Sequence, residues 1–289
     1  MKKNLSALAA LVILFASCAK NHELPADPSD HSATTETNTT VTTESALKTA
    51  IANAKAGDII TVSGTIKLTA TLQLLNSGTS SSKINFTGGT LDCSGQPSGS
   101  WGVKCNGSYW NITNMVIKNA PDAGLVIQTG GNNYVNNVTT TGNHDTGLQV
   151  YNGAHNNSIV SCHSNENYDN ANGGENADGF ACKLSGGAGN KFQSCVSNHN
   201  SDDGWDLYGQ PSTVTITGCT ASNNGYGTNG DGNGFKLGSA GQNVPHTVTN
   251  CTATNNKAWG YDGNGNAGHI TITGSGGSGN GSGLMTRIF

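Results

Sequence analysis

Arginine is all but missing from this chain: thirteen of its 14 basic residues are lysines, and the single arginine, Arg287, lies two residues from the C-terminus. A site that needs an arginine in mid-chain is thereby excluded. A formal net charge of -4 argues against a nucleic-acid surface as well. Charged residues make up only 11% of the 289 positions, which is not the composition of a solvated, disordered chain. Aromatics at 6% are too scarce for a conventional core of large rings, and 6 prolines without a Gly-X-Y period exclude collagen. No apolar run is long enough for a membrane-spanning helix. Glycine is abundant instead, at 41 residues or about twice average usage.

The chain opens with Lys2 and Lys3, an apolar run from Leu8 to Phe15, and small residues Ala16 and Ser17 before Cys18. This order marks residues 1–17 as a secretory signal of the lipoprotein type, with Cys18 as the acylated residue. Residues 18–43, rich in Thr, Ser, Asp and Pro without apolar periodicity, are expected to form a lipid-anchored flexible tether. The predicted destination is the outer membrane or cell surface, with plain secretion as the alternative. Leu47, Ala50, Ile51 and Ala54 then recur at helical spacing until Gly57, which predicts one short amphipathic helix.

An internal repeat organises the remainder. Glycine followed by an apolar residue recurs at Gly102, Gly124, Gly147, Gly179, Gly204, Gly234, Gly260 and Gly283, at intervals of 22, 23, 32, 25, 30, 26 and 23. The two long intervals carry extra residues at Tyr168 to Glu175 and around Tyr226 to Gly230. Eight residues after most members of a second apolar column (Ile112, Val135, Ile159, Phe192, Ile216, Val248, Ile272) stands an asparagine: Asn143, Asn167, Asn200, Asn224, Asn256 and Asn280. Asparagine tolerates left-handed turns and hydrogen-bonds along a stack of itself. Short strands separated by such turns predict an all-β fold over residues 44–289, a single-stranded right-handed parallel β-helix with the helix capping its N-terminal edge.

On that solenoid, strand alternation assigns faces. Val103, Leu125, Leu148, Phe180, Trp205, Phe235, Tyr261 and Leu284 should point inward, and Lys104, Val126, Gln149, Ala181, Asp206, Lys236 and Asp262 outward. Cys162, Cys195, Cys219 and Cys251 share one repeat position and are expected as a buried ladder of free thiols. No cysteine pair has the C-x-x-C spacing of a zinc site.

The acids are concentrated in one place. Seven of 18 fall between Glu166 and Asp206, with Asp202, Asp203 and Asp206 in SDDGWD. Asp178 precedes Gly179 as Asp203 precedes Gly204, so these two share a column on adjacent rungs. Like charges about 5 Å apart at an effective dielectric near 20 cost about 3 kcal/mol per pair, and a bound cation is the simplest compensation. All-oxygen ligation by carboxylates suits Ca2+. Lys236 shares its column with Asp206 one rung later. A neighbouring divalent cation opposes protonation of that lysine and brings it toward the range of a working base.

The motifs NADGFACKL, SDDGWDLY and GNGFKLG, dense from Asn176 to Gly238, resemble those of family 9 polysaccharide lyases, pectate lyases built on a right-handed parallel β-helix. The resemblance implies calcium held by Asp178, Asp202, Asp203 and Asp206, and Lys236 as the general base of β-elimination in an acidic polysaccharide such as pectate. Outward Lys183 and Tyr208 are candidate substrate-binding residues, and a monomer without nucleic-acid partners is expected. Two other classes stay open. A glycoside hydrolase would use the paired acids of SDDGWD, although the Arg-x-Lys and His-Gly elements of polygalacturonase-type enzymes do not occur. A calcium-stabilised adhesin or glycan-binding solenoid would use the glycine-aspartate turns without catalysis.

Overall fold

The computed structural model describes residues 36–289. The signal segment at 1–17, Cys18 and most of the tether therefore lie outside the described residues. The last part of the expected tether is strand: Asn38–Val41 pairs in parallel with Ile59–Val62 and starts the first rung. Thr43 then caps helix α1, Glu44–Asn53, by accepting from Ala46 N at 3.3 Å, and Leu47 and Ile51 turn their side chains into the core.

The rest is the expected right-handed parallel β-helix. One ladder of nine strands runs from Leu72–Leu74 to Gly283–Thr286, and each of its strands after the first begins at or near a repeating glycine. Its register aligns Val103, Leu125, Leu148, Phe180, Trp205, Phe235 and Tyr261, all fully buried. Two further ladders cover the other sides, joined into one seventeen-stranded sheet by the long strands Trp110–Lys118 and Tyr134–Thr141. Phe180, Trp205, Phe235 and Tyr261 stack at centroid spacings of 4.8, 4.8 and 5.0 Å. That is the spacing of adjacent β-strands, so few rings suffice to fill a continuous core. Leu284 departs from the inward assignment: the register of the last strand sets Met285 opposite Tyr261, so Leu284 falls in the column of the repeating glycines and is 36% exposed.

The asparagine column forms a buried ladder. From Asn143 to Asn280 each backbone N–H and each side-chain amide donates to the Oδ1 of the next asparagine, with amide distances of 2.7 to 3.0 Å. The left-handed turn residue is not the ladder asparagine but the one before it: Glu166, His199, Asn223 and Asn255 have φ between 54° and 58°. A second ladder, Asn133, Asn157 and Asn190, runs at the start of the first long strands, and His246 continues its column by accepting from Val214 N at 3.1 Å.

The repeating glycines serve close approach more than turning. A Cβ on Gly204 would lie 2.4 Å from the Gly234 carbonyl oxygen and 2.8 Å from the Ala221 side chain. The two long intervals meet in space: Tyr168 and Tyr226 pack with centroids 5.5 Å apart, and Asn229 N donates to Gly173 O at 3.1 Å. All seven cysteines among the described residues are buried free thiols, with Cys219 N donating to Cys251 Sγ and Cys195 N to Cys219 Sγ, both at 3.4 Å.

Candidate active site

The nine-stranded ladder carries the acidic residues on its outer face. Asp206 and Lys236 are register partners, as the column assignment requires. Asp178 and Asp203 each precede a repeating glycine, and Gly179 N donates to Asp203 O at 2.9 Å, which sets them on adjacent rungs. Strand geometry thus gathers residues that are 58 positions apart, from 178 to 236, onto three consecutive coils.

Asp178, Asp202 and Asp203 each offer an oxygen within 4.8 Å of the others. Most of their oxygens have donors. Asp203 Oδ1 accepts from Asn233 N at 2.6 Å and Asn233 Nδ2 at 3.0 Å. Asp202 accepts from Asp231 N at 2.6 Å and Asn176 N at 3.0 Å. Asp203 Oδ2 differs: it is buried without a hydrogen-bond partner, and Lys236 Nζ is 3.4 Å away. Burial, then the repulsion of neighbouring carboxylates, pushes the pKa values of Asp203 and Asp178 well above the ordinary carboxylate range, and Asp202 rises as well. An orphaned buried oxygen among three close carboxylates fits a hard divalent cation such as Ca2+.

Asp206 stands slightly apart from this trio. Its Oδ2 accepts from Lys183 Nζ at 3.1 Å and its Oδ1 from Tyr208 N at 2.8 Å. Burial opposes its charge, but Lys183 and Lys236 outweigh that and lower its pKa. Lys183, expected as a subsite residue, is 8% exposed and also donates to Asp178 Oδ2 at 2.7 Å. Its ammonium therefore ties two rungs together beneath the cleft. Lys236 is bound to Asp231 Oδ2 at 2.7 Å. Burial works against its charge too, yet Asp203 and Asp206 hold its pKa above the ordinary lysine value. A cation on the aspartates would weaken the field that keeps it charged, leaving Asp231 as its partner.

Of these groups, Asp202, Asp206, Lys183, Asp231 and Lys236 line a cleft of about 600 Å³. Tyr208 stands in it 49% exposed, with Lys236 Nζ 5.9 Å from its ring centroid. Asp145, Glu175, Asn176 and Asp231 also line it and were not singled out from sequence. Asp145 was within reach of the repeat, since it precedes Gly147 by two as Asp202 precedes Gly204. Desolvation raises its pKa to about 6. Glu175 and Asp231 sit in or beside the irregular insertions, where no register exists to place them.

A family model described as Pel9A-like, right handed beta helix region, matches residues 27–287. The chain belongs to this family. Within and around the family, it is 40% identical over 207 residues to pectate lyase L of Paenibacillus polymyxa (strain SC2), covering 63% of this chain and 45% of that protein. Pectate lyase L of Dickeya chrysanthemi is 34% identical over 179 residues, 60% of this chain and 42% of its own length. The chain thus spans less than half the length of these curated relatives. Among solved structures, the crystal structure of pectate lyase Pel9A superposes with a TM-score of 0.73 at 31% identity, over 78% of this chain and 61% of that one.

Proposed function

We propose that the protein is a calcium-dependent polysaccharide lyase that cleaves pectate or a related uronate polymer by β-elimination, with Lys236 as the base. The observation that carries this reading is the placement of Lys236 Nζ, in the lining of the cleft, 3.4 Å from the unpartnered Asp203 Oδ2. The names of the relatives, all lyases where quoted, support the reaction class.

Asp178, Asp202 and Asp203 would hold the metal, with Asp206 completing the set. When bound, calcium supplies positive charge that offsets the charge building on the substrate carboxylate as C5 loses its proton. The chain's own residues do the rest. Neutral Lys236 accepts the C5 proton at Nζ. Lys183 fixes the carboxylates of Asp178 and Asp206 relative to each other. The stacked rings beneath keep the three coils in register. The C4–O4 bond then breaks and a C4=C5 double bond forms without water as a reactant. Calcium bound between acidic protein and acidic polymer reconciles the net charge of -4 with such a substrate. Export with a lipid anchor at Cys18 belongs to the same proposal and rests on the sequence of residues 1–18.

Mixing the protein with polygalacturonate, with calcium or with chelator, tests the reading. Ultraviolet absorbance from unsaturated ends should rise with calcium alone. No rise on any uronate polymer would falsify the lyase assignment.

A further inference from the structure

β-Elimination leaves one proton to be assigned. The departing O4 leaves poorly as an alkoxide, so a proton delivered to it as the C4–O4 bond breaks lowers the barrier. In the sugar ring, C5–H and O4 lie on neighbouring carbons, so the proton donor must sit close to the base.

The cleft offers few donors. Lys183 is locked between Asp178 and Asp206 at 2.7 and 3.1 Å. Side-chain amides such as Gln149 and Asn264 do not release protons. Asp145, with its raised pKa, is three coils from Lys236, roughly 14 Å at the usual strand spacing. Tyr208 carries the hydroxyl among the cleft-lining side chains. It is 49% exposed, on the coil adjacent to Lys236, and its ring centroid is 5.9 Å from Lys236 Nζ. Its backbone N–H donates to Asp206 Oδ1 at 2.8 Å, which anchors its main chain beside the site.

We propose that Tyr208 is the general acid of the reaction, donating its phenolic proton to O4 while Lys236 takes the proton from C5. The proposal rests on the lyase reading above. The balance closes without a co-reactant. The C5–H electron pair becomes the C4=C5 bond, the C4–O4 pair leaves with O4, and O4 takes the Tyr208 proton to become the reducing-end hydroxyl of the other fragment. Lys236 ammonium then passes its proton to the Tyr208 phenolate, and both groups return to their starting state.

The test compares wild type and Tyr208→Phe on two substrates. One is polygalacturonate; the other is a galacturonate whose C4 oxygen carries a nitrophenyl group, so that nitrophenolate leaves without needing a proton. On the polymer, Tyr208→Phe should lose about 100-fold or more in kcat, the lower end of a general-acid contribution, with KM nearly unchanged. On the nitrophenyl ether it should match wild type within about threefold, and calcium titration should be unaltered. Full activity of Tyr208→Phe on the polymer overturns the proposal. An equal loss on both substrates also overturns it, making Tyr208 a sugar-binding residue. Wild type inert on both would instead bring down the lyase reading, and this inference with it.

Discussion

Lys236 Nζ approaches Asp203 Oδ2 to 3.4 Å, one coil apart, and Asp203 Oδ2 has no hydrogen bond. The pair joins the proposed base to the proposed metal site, so the two functions should be separable by substitution. Lys236→Ala is expected to lower kcat by about 10² to 10⁴, the range of a general base, while leaving calcium binding intact. Initial rates on polygalacturonate together with calcorimetric calcium titration check both halves. Retained activity in this variant would exclude Lys236 as the base.

Asp203→Asn keeps the hydrogen bonds to Asn233 within reach but removes the charge opposite the cation. Calcium at about 100 times its dissociation constant should stabilise the wild-type protein by about 2.7 kcal/mol. The variant should lose most of that increment. Thermal melts with calcium and with chelator measure it, and an unchanged calcium shift would place the ion elsewhere.

His246 gives a pH dependence that is independent of the active site. Burial lowers its pKa from 6.5 to about 4, and its Nδ1 must stay unprotonated to accept from Val214 N. Below pH 6.5 the unfolded chain takes up a proton that the folded one refuses, so stability falls as pH drops toward 4. The full effect is about 3 kcal/mol. His246→Asn supplies the acceptor used at Asn133, Asn157 and Asn190 and does not titrate. Urea midpoints at pH 7 and pH 4.5 should converge in that variant; an undiminished pH dependence would assign the effect to other groups.

The asparagine ladder should be graded along its length. Asn200 accepts from Asn167 and donates to Asn224, Ser197 and the Ser164 carbonyl, all buried. Asn200→Ala strands several buried groups and should cost about 2 to 5 kcal/mol. Asn280, at the open end of the ladder, has fewer buried neighbours and should cost about 1 kcal/mol. Urea unfolding of the two variants tests the gradient, and equal costs would refute it.

Much of this architecture is readable in the sequence because a solenoid converts spacing into proximity. The glycine period alone places Asp178 beside Asp203, and Asp206 beside Lys236. Cys162, Cys195, Cys219 and Cys251 align for the same reason. What the period does not encode is what crosses it. Lys183 could be assigned to the outer face, but not its reach back to Asp178 and forward to Asp206. Asp231 arrives on an insertion of irregular length and takes Lys236 as its partner. The repeat shows that the glycines recur, whereas the 2.4 Å approach at Gly204 shows why. His246 hides because it interrupts a column of amides with a different acceptor of similar reach.

The rings of Phe180, Trp205 and Phe235 lie directly behind the acidic floor, each one or two residues from Asp178, Asp206 or Lys236. The backbone ladder sets the pitch on both of its faces, so the interval between the rings is repeated in the interval between the carboxylate and the ammonium of the proposed site. A substitution that leaves a void in the stack, such as Trp205→Leu, touches none of the proposed site residues yet loosens the wall that backs them. In this fold the hydrophobic interior and the chemistry share one unit of length.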